Sequence, residues 1–144
     1  PTAEGVFRHL VTTQGLAADF ELDSAGTSAY HAGQSPDKRS TQTARRRSID
    51  LNGASRQFVA ADFGRFDYVI AMDRSNFEDL RRLTSDADQQ RKLTLMRDWE
   101  PDGHGKDVPD PYYGGPRGFD EVLDICIRSC EGLLEHILKI HEGE

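Results

Sequence analysis

The sequence predicts an α/β fold in which helices cover a largely parallel sheet, and three observations carry that expectation. Residues 68–72, Tyr-Val-Ile-Ala-Met, are an unbroken apolar run of strand length, the pattern of a strand buried on both faces. Apolar residues at helical spacing stand on either side of it, most clearly between Phe119 and Leu138. Helical and strand patterns alternate along the chain, which favours crossover helices on a sheet over an all-helical bundle.

Taken in order, Ala3, Val6, Phe7, Leu10 and Val11 repeat at helical spacing. Glu4 stands in the first turn, where free amides favour an anion, and Gly15 ends the helix. Pro1 opens this helix with no capping residue ahead of it, although proline normally follows one, so the sequence reads as starting inside a protein. Ser24, Ala25, Gly26 and Thr27 read as a strand running into a tight turn. Ser35, Pro36 and Asp37 supply a cap, a preset φ and a favourable charge for a second helix through about Ser48, and Gly53 marks the break after it. Arg56 to Phe58 is ambiguous. The 68–72 strand ends at Asp73, and Ser75 with Glu78 and Asp79 starts a helix carrying Phe77, Leu80 and Leu83. Leu93 to Met96 predict another strand, and Asp98 to Gly118, rich in proline, glycine and acids, reads as a long loop. In the last helix Phe119, Val122, Leu123, Cys126, Cys130, Leu133, Leu134, Ile137 and Leu138 share one face, with Asp120, Glu121, Arg128, Glu131 and Lys139 at polar positions. No repeat or linker divides the chain, so residues 1–144 read as one domain.

Composition excludes several function classes. With 18 Lys plus Arg against 25 Asp plus Glu, a net charge of -7, the chain lacks the broad positive field that attracts nucleic acid or an anionic membrane. The local basic segment Lys38, Arg39, Arg45, Arg46 and Arg47 reads as a solvated face with surface ion pairs. No apolar run approaches the roughly 20 residues that span a bilayer, and the first residues do not form a secretion signal, so the expected location is cytoplasmic. Cys126 and Cys130 lie four apart on a helix, where their directions disfavour a mutual disulfide, and read as thiols of a reduced compartment or as buried apolar contacts. The five histidines make no familiar metal signature, and Asp107 with Asp110 reads as surface charge and one candidate acid rather than an ion site. No phosphate-cradling loop, dinucleotide fingerprint or serine nucleophile elbow is present, so neither metal nor cofactor is expected.

Chemistry is best sought in residues 108–115, Val-Pro-Asp-Pro-Tyr-Tyr-Gly-Gly, where a carboxyl group stands beside two aromatic rings in a turn-rich loop. A partly buried Asp110 would suit proton donation to a leaving oxygen, with Tyr112 or Tyr113 against a substrate ring. The residues alone leave a structural turn open as the other reading. Asp73, at the carboxyl end of the strongest strand, reads either as a cap for the following helix or as support for a site.

Five separated stretches carry a resemblance: Pro-Thr-Ala-Glu at 1–4, Asp-Ser-Ala-Gly at 23–26, Ser-Pro-Asp at 35–37, Asp67 through Met72 followed by Asp73, Ser75 and Asn76, and Asp-Pro-Tyr-Tyr at 110–113. In this order, across nearly the whole chain, they resemble the low molecular weight protein tyrosine phosphatases. The resemblance implies a three-layer α/β sandwich around a four-stranded parallel sheet. It also implies phosphotyrosine or aryl phosphate hydrolysis through a cysteinyl-phosphate intermediate, without a metal. By the resemblance, Asp110 protonates the departing phenolate and then activates water, Tyr112 and Tyr113 line the aromatic entrance with Tyr30 on its other wall, and Ser24 and Asp73 support the crest.

In the family a Cys, five residues, Arg and Ser come immediately before the proline matching Pro1. No such pattern occurs in these 144 residues, and neither Cys126 nor Cys130 is followed by it. The first central strand and the nucleophile are therefore expected to be missing from this stretch, a preceding segment is expected to complete the fold, and the chain alone is expected to be inactive and poorly folded. A noncatalytic phosphoprotein-binding or scaffold protein is the competing class. An arsenate reductase ranks below both, because no cysteine follows Asp73 to Asn76 closely enough for a redox relay. The tyrosine pair favours an aryl phosphate over phosphoarginine.

Overall fold

The chain opens with α1, Thr2–Thr13, whose buried face is Gly5, Val6, Phe7 and Val11. In the computed structural model, which describes residues 2–26, 38–51, 56–109 and 117–142, this helix stops where the sequence predicts. Gly15 takes a φ of 73°, its N–H donates to Thr12 O at 3.1 Å, and the Leu16 N–H donates to Val11 O at 2.7 Å. These paired bonds satisfy the last helical carbonyls and require the left-handed conformation that glycine adopts without strain.

The strand predicted at Ser24–Thr27 is reduced, among the described residues, to one parallel bridge between Gly26 and Gln57. Gly26 N donates to Arg56 O at 2.7 Å and Phe58 N to Gly26 O at 2.8 Å, which settles the ambiguous Arg56–Phe58 stretch as extended. α2 covers Lys38–Arg45 and ends before the predicted Ser48, because the backbone turns there with Ser48 at a φ of 62°. A single turn, α3, follows at Asp62–Arg65.

β1, Val69–Ala71, α4, Arg74–Arg81, α5, Ala87–Arg91, and β2, Leu93–Leu95, form a right-sized strand–helix–strand crossover. The two strands are parallel, with Val69 opposite Leu93, Ile70 opposite Thr94 and Ala71 opposite Leu95. Met96, predicted in the strand, instead begins a 3-10 turn over Met96–Trp99. The sheet among the described residues has two strands and the isolated bridge, fewer than the four implied for the complete fold. α6, Gly118–Glu142, is the long final helix.

The apolar run at 68–72 is explained by two cores on opposite faces of the sheet. Val69 and Ala71 pack with Phe63, Leu80, Leu93 and Leu95 on the α3/α4 side. Tyr68, Ile70 and Met72 pack against a larger cluster in which Val6, Phe7 and Val11 of α1 meet Leu123, Cys126, Cys130, Leu133, Leu134 and Ile137 of α6. A stripe of α6 at four-residue spacing then grips the 3-10 turn. Arg128 donates to the buried Glu100 at 2.8 Å, and the His136 ring lies 4.7 Å from that of Trp99. Between them Gly132 comes so close to Trp99 that a Cβ there would collide with its carbonyl oxygen and meet its carbonyl carbon at 3.0 Å. Burial works against ionisation of Glu100, but the hydrogen bonds from Arg128 and Arg97 outweigh it and hold its carboxyl below the usual range.

Candidate active site

Open parallel sheets present ligands beyond the carboxyl ends of their strands, which here means the crest where β1 passes into α4. Asp73 caps that helix: its Oδ1 accepts the Asn76 N–H at 2.7 Å. The cap is thus Asp73, with Ser75 inside the helix. Residues 103–108 lie against this crest without forming a helix or strand. Val108 N donates to Met72 O at 2.8 Å, Arg74 N to Asp107 Oδ1 at 2.8 Å, and Arg74 Nε to Gly105 O at 3.0 Å. Asp98 holds the loop from the β2 side, taking Leu95 N at 3.0 Å on one oxygen and Gly105 N at 2.8 Å on the other. The long loop expected from Asp98 onward is therefore tightly tied over its first half.

A second carboxylate network centres on Arg56, whose carbonyl oxygen takes the Gly26 N–H. Arg56 donates from Nε to Asp23 at 2.8 Å and from Nη1 to Asp62 at 2.9 Å, while Asp62 also accepts Val59 N at 2.9 Å. The hydrogen bond from Arg56 is the main reason that the Asp62 carboxyl sits below the ordinary range. Ser24, next to Asp23, donates its hydroxyl to Glu4 Oε1 at 2.7 Å, linking this stretch to the first turn of α1. Because the folded value is depressed, the ionised Asp62 contributes its full stability above the unfolded value of about 4, and that contribution is lost as pH falls through the folded value. Asp62→Asn is expected to lower stability by about 1 kcal/mol at pH 7 and to flatten the loss on acidification. Urea unfolding between pH 7 and pH 3 reads both effects, and an unchanged pH slope would refute them.

Comparison with known proteins decides the family. The family model described as "Low molecular weight phosphotyrosine protein phosphatase" matches residues 1–142. This chain belongs to the low molecular weight phosphotyrosine protein phosphatase family. The human low molecular weight phosphotyrosine protein phosphatase is 38% identical over 136 residues, 94% of this chain and 85% of that protein. The low molecular weight protein-tyrosine-phosphatase of Streptomyces coelicolor is 39% identical over 145 residues, 99% of this chain and 88% of that one. A crystal structure of protein tyrosine phosphatase from Entamoeba histolytica superposes with a TM-score of 0.88 at 37% identity, covering 99% of this chain and 89% of that chain.

In this phosphatase the two cysteines are core residues. Cys126 and Cys130 are free and buried, and Cys130 Sγ approaches Ala3 O at 3.7 Å across the α1–α6 contact. Burial pushes the Cys126 thiol up to about 12 and Cys130 higher still, the opposite of what a nucleophile needs. The basic segment is partly ion-paired, with Arg47 bonded to Asp124 and 3.6 Å from Asp120. Among the described residues no three His, Cys, Asp or Glu side chains are grouped to hold a metal ion, and no helix is long and apolar enough to cross a membrane.

Of the residues singled out in the sequence, Asp73 caps α4 at the end of β1 and Ser24 bonds to Glu4 of α1. Asp110, Tyr112, Tyr113 and Tyr30 lie outside the described residues. Sequence reasoning passed over Asp98 and the bonds of Arg74 with Gly105 and Asp107, partners more than thirty positions apart. The one available signal was an acid three positions ahead of Asp110.

Proposed function

We propose that this phosphatase hydrolyses phosphotyrosine in proteins, or related aryl phosphate monoesters, when a thiolate–arginine loop is present ahead of Pro1. The supporting observation is the family match through residue 142. The tie between Val108 and the end of β1 is consistent with it, since it docks the chain on the carboxyl end of that strand two residues before Asp110. In this reading the cysteine sulfur attacks phosphorus, the bond from phosphorus to the phenolic oxygen breaks, and Asp110 gives its proton to that oxygen. Asp110, now a carboxylate, takes a proton from water as the water oxygen attacks phosphorus and the bond to sulfur breaks, releasing phosphate and thiolate. Proton donation is useful because an unperturbed tyrosine, with a pKa near 10, leaves poorly as its anion. Tyr112 and Tyr113 line one side of the aromatic entrance and Tyr30 the other, while Ser24 and Asp73 support the crest. The chemistry calls for no metal or cofactor. Residues 1–144 act as part of a single cytoplasmic domain.

A noncatalytic phosphoprotein-binding role is the second reading, favoured by one observation: no Cys, five residues and Arg occur in these 144 residues. Two preparations separate the readings, each verified by intact mass. A polypeptide of these 144 residues alone is expected to show no turnover of a phosphotyrosine peptide. The full-length product of the complete coding sequence is expected to carry the loop and release phosphate from the same peptide. Binding without turnover by that product would establish the second reading, and robust turnover by the 144-residue polypeptide would overturn the assigned mechanism.

A further inference from the structure

We propose that Asp107 and Arg74 form a clasp that fixes the register of the acid-bearing loop on the carboxyl end of β1, making Asp107 a positioning residue for leaving-group protonation. The inference rests on the reading of Asp110 as the acid. It starts from a conflict between composition and geometry. Residues 103–108, Gly-His-Gly-Lys-Asp-Val, have two glycines and no regular structure, a composition that gives the backbone wide freedom. The segment is nevertheless held along its length by residues remote in sequence.

The Asp107 bond is the informative one. A helix begins with free N–H groups, and one local acid usually serves them. In α4 the local acid is Asp73, which takes the Asn76 N–H. Asp107 arrives from 33 positions away and takes the Arg74 N–H at 2.8 Å, so two carboxylates share one helix start. A distant cap adds little to the helix that water would not supply. Its particular effect is to dock its own loop on the crest.

Arg74 completes the clasp in the other direction. Its side chain donates from Nε to Gly105 O at 3.0 Å, and Gly105 turns there with a φ of 77°. On the far side Arg97 donates to the Asp107 carbonyl at 3.1 Å, and Val108 N continues the docking on Met72 O at 2.8 Å. Asp110 follows Val108 by two residues, so their Cα atoms are within about 7 Å by chain geometry alone. A displacement of Asp107 therefore reaches the acid through only a few bonds, and a misplacement of about 1 Å can cost up to a hundredfold in rate.

The test uses the full-length, loop-bearing protein and two substrates, phenyl phosphate with its poor leaving group and p-nitrophenyl phosphate with an activated one. Asp107→Ala is expected to lower kcat on phenyl phosphate by about tenfold while leaving p-nitrophenyl phosphate within about twofold. Asp107→Asn keeps an oxygen for the Arg74 N–H and is expected to stay within about twofold on both substrates. Should Asp107→Ala fail to fold, Arg74→Ala removes the Gly105 bond alone and is expected to give a smaller selective loss of about threefold. Equal losses on both substrates, no loss, or a loss in Asp107→Asn as large as in Asp107→Ala would overturn the clasp. Asp110→Asn in parallel separates the two failures. If it shows no leaving-group selectivity, the acid assignment falls and the clasp with it; if it is selective while Asp107→Ala is indifferent, only the clasp falls.

Discussion

Asp110→Asn in the full-length, loop-bearing protein is expected to lower turnover of phenyl phosphate by about a hundredfold or more, the range typical of a lost general acid. The loss on p-nitrophenyl phosphate is expected to be much smaller, because that leaving group departs as a stable anion without help. The amide cannot donate a carboxyl proton, yet it nearly preserves the side chain's size, so the contrast between substrates isolates proton transfer from packing. Steady-state kinetics with both substrates provides the check, and equal losses on both would remove Asp110 from the acid role.

Among the described residues, Gly132→Ala is expected to be a severely damaging added methyl. Its Cβ would run into the Trp99 backbone rather than into a side chain that can rotate away, so α6 must move off the 3-10 turn. Overpacking typically costs 1–3 kcal/mol and sometimes more; with only backbone in the way, about 3 kcal/mol is expected, or roughly 10 °C in Tm at this chain length. Gly64→Ala is the matched control, since nothing lies within 4 Å of a Cβ there, and it is expected to be neutral or mildly stabilising. Thermal unfolding of both variants in the full-length protein decides the matter, and similar midpoints would show that α6 yields easily at Trp99. Because Arg97 of the same turn donates to the Asp107 carbonyl, the Gly132 variant is also expected to loosen the loop.

How far the fold could be read in advance depends on whether a segment's partners are local. α6 and β1 were legible because burial on one stripe, or on both faces, writes a period or an unbroken apolar run into the sequence. The end of α1 was legible because glycine adopts the left-handed conformation of Gly15 without strain. α5 left no such trace: it buries none of its residues, so no apolar period marks it. α3 is a single turn, too short for a period to form. The loop at 103–108 looked irregular because its order comes largely from Met72 and Arg74, and no local pattern encodes bonds to residues so far along the chain. The cap had two good candidates two residues apart, Asp73 and Ser75, which chemistry alone ranks equally; the structure selects Asp73. The site followed the same rule. Asp73 and Ser24 stood out as short motifs, whereas the supporting Arg56 network joins Asp23 to Asp62 through space.

The contact between α1 and α6 joins residues as distant as Ala3 and Cys130, and it sets a waiting time during synthesis. The α6 side chains that help cover Val6, Phe7 and Val11 are translated more than a hundred codons after them. At about 5–20 residues per second that interval is on the order of ten seconds. Throughout it the nascent chain has only the nearer partners of α1 to cover this face, Phe20 against Phe7 and Ala44, Ile49 and Leu51 of the same cluster.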